Sequence, residues 1–134
     1  MRKKIKLAIA IVMSVVALCG AAQRSRQPDL RWQAPAQAAA QPNPLADQPQ
    51  TEVGGQKLFR RLCSSCHGPA GAGIGQAPNL QSFDTQVQTD GTLFWKITNG
   101  NLDRGMPSFA NLPGLERWQL VLHLRHLEEP AKGP

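Results

Sequence analysis

The chain has 134 residues, with 15 Lys plus Arg against 9 Asp plus Glu and a formal net charge of +6, which is enough for one small domain and too little for two. That positive balance would suit a nucleic-acid or membrane binder, but Arg2, Lys3, Lys4 and Lys6 all fall in the first six positions, and without them 11 basic groups face the same nine acidic ones. The aromatic residues, Trp32, Phe59, Phe83, Phe94, Trp95, Phe109 and Trp118, do not interleave with Lys or Arg as a stacking groove requires, so a nucleic-acid partner is excluded.

The basic opening precedes an apolar run from Leu7 to Leu18 broken only by Ser14, the charge-then-apolar order of a secretory signal over residues 1–22. Its end reads three ways. Gly20, Ala21 and Ala22 permit ordinary cleavage, which would discard Cys19; alternatively Cys19 becomes the lipidated first residue of a lipoprotein, although Leu18 is bulkier than such signals prefer. An uncleaved anchor is the third reading, disfavoured because the run is shorter than the ~20 residues that span a bilayer. An exported, periplasmic protein is expected in either of the first two cases, tethered to the membrane in the second. Residues 23–50 follow, in which Gln, Ala and Pro make up 18 of 28 positions. No periodic apolar face forms there, and the stretch is expected to be a disordered tether.

The folded domain is expected over residues 51–130, near the lower size limit for a self-sufficient core. Three helical segments are predicted, separated by long stretches rich in Gly, Pro and Asn. The first, about 52–62, places Leu58, Phe59 and Leu62 on one face. The second, about 92–98, takes Asp90 as its start signal and Asn99-Gly100 as its stop. The third begins near Pro113 and carries Leu115, Trp118, Val121, Leu122 and Leu124 toward Leu127. No segment alternates like a strand, so the class is all-α, with loops long enough that something besides helix packing must organise them.

Between the first helix and the first long loop stands Cys63-Ser64-Ser65-Cys66-His67. Two thiols separated by two residues can reach the two vinyl groups on one edge of a haem and add across them as thioethers. The histidine directly after them is then held against the ring centre, where it can ligate the iron. A redox-active dithiol would need a βαβ context, and a zinc site would need four ligands where only His123 and His126 remain. For the sixth iron position the mature sequence offers one thioether, Met106, 39 residues after His67 and flanked by Gly105 and Pro107. The alternatives are a buried core methionine or ligation by His123 or His126, both of which read as solvent-facing positions of the third helix.

These residues resemble a class I cytochrome c of the bacterial monohaem type, over Gly55 to about Leu127. The resemblance rests on Gly55-Gln56-Lys57-Leu58-Phe59 before the haem motif, Pro78-Asn79-Leu80 after it, and Trp118, Leu122 and Leu124 on the last helix, where His123 stands at a position often aromatic. It implies the small fold of three main helices and long loops wrapped around one covalent haem c. By the same resemblance the first and last helices cross closely at Gly55, and the Pro78 carbonyl accepts the other ring proton of His67, strengthening it as a ligand. Gly71, Gly73 and Gly75 mimic a phosphate loop without the strand one requires, and are read as backbone room beside the haem edge. Trp95 and Arg104 could hydrogen-bond a propionate. The function implied is a one-electron carrier with no catalytic residue, whose redox partner proteins dock transiently on the haem edge. A fixed cytochrome subunit of a dehydrogenase or respiratory complex is the rival reading, and a haem sensor or peroxidase-like enzyme is a weaker one.

Overall fold

The computed structural model describes residues 31–127. Chain contacts divide the protein into Met1–Arg31 and Trp32–Pro134; the expected signal segment and Cys19 lie outside the described residues. Within the second unit the elements are α1 (Ala36–Ala39), a 3-10 turn (Pro49–Thr51), α2 (Glu52–Leu62), α3 (Ser64–His67), α4 (Phe83–Gln86), α5 (Asp90–Asn99), a 3-10 turn (Leu102–Arg104) and α6 (Gly114–Arg125). Among the described residues there is no strand, only a bridge between Asn101 and Met106, and no helix is long and apolar enough to cross a membrane.

The core forms where α2 crosses α6. Phe59, Leu120 and Val121 are fully buried, joined by Leu58, Leu93, Ile97, Trp118, Leu122 and Leu124. A glycine makes the crossing close: a Cβ on Gly55 would lie 2.0 Å from the Gln119 carbonyl oxygen. Helix α2 carries Glu52 in its first turn and Arg60 and Arg61 in its last, which suits the helix dipole. Helix α5 is capped by Thr89, whose Oγ1 accepts the Thr92 N–H at 3.2 Å, so the capping residue lies one position before the expected Asp90. Asp90 instead pairs with Arg125 on α6 at 2.7 Å, while the same guanidinium donates to the Gln86 and Gln88 carbonyls.

The structure corrects three expectations. His123 is not solvent-facing. It is 6% exposed, its Nδ1 lies 2.5 Å from Glu52 Oε1, and its ring packs on Phe59 at 5.2 Å between centroids. Helix α6 is covered on more than one side, so a polar residue on it falls inside, and the gap left by Gly55 receives His123, whose Cβ is 3.0 Å from where a Gly55 Cβ would be. Leu115, expected in the core, is 61% exposed. It sits in the first turn of α6, and helical side chains lean toward the N-terminus, here off the covered part of the helix.

The third correction concerns the tether. Residues 32–48 fold onto the helices instead of remaining extended. Leu45 is buried in the core and the Asn43 amide donates to the Trp118 carbonyl at 3.2 Å. Thr89 Oγ1 donates to the Ala39 carbonyl at 2.7 Å, and Trp32 Nε1 donates to the Gly100 carbonyl at 2.7 Å. A segment docked on a preformed surface needs only a few anchors, and single anchors do not register in composition.

Gly55 gives a test with a definite sign. Helix propensity alone predicts that Gly55→Ala stabilises by about 0.5–1 kcal/mol. A backbone oxygen at 2.0 Å cannot move aside, so overpacking, about 2 kcal/mol or more, wins. With the propensity gain subtracted, Gly55→Ala should lower the melting temperature by roughly 4–12 °C. Gly54→Ala should change it little or raise it, because its Cβ meets only the flexible end of Gln119. Calorimetry on the two variants checks the pair.

Candidate functional site

The last turn of α2 delivers the first cysteine. Cys63 N–H donates to the Phe59 carbonyl at 2.9 Å, and the Cys63 carbonyl accepts from Cys66 N–H at 3.1 Å and His67 N–H at 2.9 Å. The five residues of the motif therefore occupy one continuous helical path, with Cys63 half-buried and Cys66 exposed, both as free thiols. Burial, and secondarily the neighbouring Cys66, push the Cys63 thiol up to about 11. That direction is opposite to the lowered value of a redox-active dithiol. Among the described residues no three His, Cys, Asp or Glu side chains group to hold a metal ion.

His67 is held from the other side of its ring. Nδ1 lies 3.1 Å from the Pro78 carbonyl oxygen. A carbonyl only accepts, so Nδ1 carries the proton and Nε2 keeps its lone pair for a metal. The loop that brings Pro78 there hangs on the motif itself: Gly73 N–H donates to the His67 carbonyl at 2.8 Å and Ile74 N–H to the Cys66 carbonyl at 3.0 Å. Gly73 has φ +86, and a Cβ on it would lie 2.5 Å from the Ala77 carbonyl oxygen. The glycine at this position thus makes room for the loop's own returning backbone.

Met106 stands in a second loop. Asn101 and Met106 exchange two backbone hydrogen bonds, 2.8 and 2.9 Å, around the 3-10 turn that contains Arg104. Met106 is half-buried, as is Trp95 on α5, and Arg104 is exposed. The Asn101 side-chain Nδ2, at the neck of this loop, is a buried donor with no partner. His126, the other histidine weighed as a ligand, donates Nδ1–H to the Leu122 carbonyl at 2.9 Å. Hydrogen bonds thus join Cys63, Cys66, His67 and Pro78 into one unit, while Met106 is fixed separately through Asn101. Asn101 itself was not foreseen; an asparagine in a loop is an ordinary turn residue, and only its burial distinguishes it.

A haem fits these residues. Two free thiols and an available imidazole nitrogen stand together, a buried donor is unused at the methionine loop, and each loop leaves a large apolar side chain uncovered, Ile74 at 56% and Leu102 at 78% exposed. A helical fold, strand-free among the described residues, with this motif at the end of its first long helix defines a c-type cytochrome domain. The chain belongs to the family described as cytochrome C oxidase, cbb3-type, subunit III, whose model matches residues 51–124. It is thus a class I monohaem cytochrome c, and one covalently bound haem c comes with that membership. Comparison with curated proteins and with solved structures gave no match.

Cysteine substitution tests which residues attach the haem. Expressed with a haem-attachment system, the protein should keep its colour through acid-acetone extraction. Cys63→Ala should weaken that retention and Cys63→Ala with Cys66→Ala should abolish it; covalent haem in the double variant would refute attachment at these positions.

Proposed function

We propose that this cytochrome shuttles single electrons between exported redox proteins, its haem held by thioethers to Cys63 and Cys66 and its iron ligated by His67 and Met106. Bound haem c supplies an iron that alternates between ferric and ferrous. The observation that carries the reading is the Nδ1–H bond from His67 to the Pro78 carbonyl. It fixes one tautomer and one ring orientation directly after the second cysteine, and makes Nε2 a stronger donor.

Met106 completes the proposal because a soft, neutral thioether favours ferrous iron, and a six-coordinate site rearranges little between oxidation states. The chain's part is to hold the two ligands, to cover the group with loops 68–82 and 100–112, and to leave an edge for transient docking. No side chain needs to move a proton or form a bond to substrate. A fixed subunit of a respiratory complex is the second reading, favoured by the family's description as an oxidase subunit.

Met106→Ala should open the sixth position without releasing the haem. The weak red absorption of a sulfur-to-ferric-iron transition should vanish, and the potential should fall by at least about 0.1 V, a fraction of the ~0.8 V that axial ligands span. Met106→His should restore six-coordination at a lower potential, and His126→Ala should leave both observables alone. An unaltered spectrum and potential in Met106→Ala, with a histidine variant disrupting them, would establish bis-histidine ligation instead.

Export through residues 1–22 belongs to the same proposal, supported by the Arg2 to Lys6 charges ahead of the apolar run. Mass spectrometry of the mature N-terminus should find a free residue after about Ala22 or a lipidated Cys19. An intact Met1 in membrane-extracted protein would indicate the uncleaved anchor.

A further inference from the structure

Gly100 is the point at which α5 becomes the loop that carries Met106. Its N–H closes α5 on the Lys96 carbonyl at 2.8 Å, and its φ is +65. Its Cα is wedged against the far side of the same loop: a Cβ there would lie 2.5 Å from the Pro107 carbonyl carbon and oxygen. One residue further in, the Asn101 to Met106 bridge joins the two sides again. Residues 100–107 are therefore a small ring with a narrow neck, and the neck governs whether Met106 can swing away.

Trp32 grips that neck from outside the loop. Its Nε1–H donates to the Gly100 carbonyl at 2.7 Å. Its ring lies under the Lys96 ammonium, 4.4 Å from Nζ to the centroid, so one side chain holds both the last turn of α5 and the first residue of the loop. Trp32 precedes the family match, which begins at residue 51.

We propose that Trp32 is a positioning residue for Met106: by clamping the neck of the 100–107 loop, it holds the thioether in place and resists opening of the sixth iron position. The proposal rests on Met106 being the ligand. Its physical basis is that loops with few tertiary contacts open locally at low cost. Each bond across the hinge then shifts that opening by the net value of one hydrogen bond, roughly two- to twelve-fold.

The test uses the full haem-loaded chain. Trp32→Phe removes the N–H and keeps a ring over Lys96, and Trp32→Ala removes both. Asn43→Ala is the control, because it loosens the same segment at its bond to the Trp118 carbonyl on α6 rather than at the loop. Readouts are the rate of carbon monoxide binding to ferrous iron, the red absorption of the ferric form, amide exchange at Asn101 and Met106, and melting temperature. Carbon monoxide entry and Met106 exchange should rise roughly two- to twelve-fold in Trp32→Phe and further in Trp32→Ala, with weaker red absorption. Asn43→Ala should lower the melting temperature and leave carbon monoxide entry and Met106 exchange as in the wild type. The proposal is overturned if the Trp32 variants match the wild type, or if Asn43→Ala opens the iron as much as they do. Met106→Ala separates the two levels. If it opens the site while the Trp32 variants do not, only the clamp is wrong; if it too matches the wild type, the ligand assignment falls and the clamp with it.

Discussion

The backbone contact between Gly55 and the Gln119 carbonyl sets the separation of α2 and α6, and the rest of the molecule is arranged from it. At that spacing Phe59 and Val121 bury completely and His123 reaches Glu52 across the crossing. A bulkier residue at position 55 would push the helices apart and weaken packing along both, because interiors are dense enough to feel a single methyl group. The crossing also decides where α2 ends. Cys63 caps that helix through its bond to the Phe59 carbonyl, so the buried phenylalanine and the first cysteine of the motif are placed by the same turn.

Beyond the helices, amide side chains do the ordering. Gln81 Nε2 donates to the Ala70 carbonyl at 2.8 Å, and Gln86 Nε2 to the Leu80 and Leu124 carbonyls at 2.7 and 3.0 Å. Each such bond contributes only about 1 kcal/mol net, while fixing one backbone residue costs about 1–2 kcal/mol. Hydrogen bonds of this kind define the path of a loop more than they stabilise it. Loops of this length therefore need a large apolar partner, and a covalent haem supplies one that cannot dissociate as the loops breathe.

The helices and the motif were legible in the sequence because each has a local cause. The apolar period of 52–62, Pro113 before the last helix and the fixed spacing from Cys63 to His67 all act within a few residues. What escaped depends on a second segment. His123 looks polar and exposed until Glu52 and Gly55 are brought against it, and Thr89 rather than Asp90 caps α5 because Asp90 is taken by Arg125. The glycines at 71, 73 and 75 announce a tight loop, but not that its return strand lies on Gly73. The segment 32–48 escaped most completely, since its anchors are single residues dispersed among Gln, Ala and Pro.

That segment extends the fold beyond the boundary of the family match, and it does so by the device used at the helix crossing. A Cβ on Gly91 would lie 2.1 Å from the Ala38 carbonyl oxygen, so α1 seats on α5 as α2 seats on α6, backbone against a glycine. Such contacts tolerate little sliding, because the opposing group is a fixed carbonyl and not a side chain that can change rotamer. Lys96 shows how tightly the seat closes: burial holds its ammonium below the ordinary lysine range, and the face of Trp32 replaces part of the water it has lost. In a domain with so small a core, rigidity around an electron carrier cannot come from bulk packing. It comes from short-range backbone seats at Gly55, Gly91 and Gly100, and the last of these lies at the foot of the methionine loop.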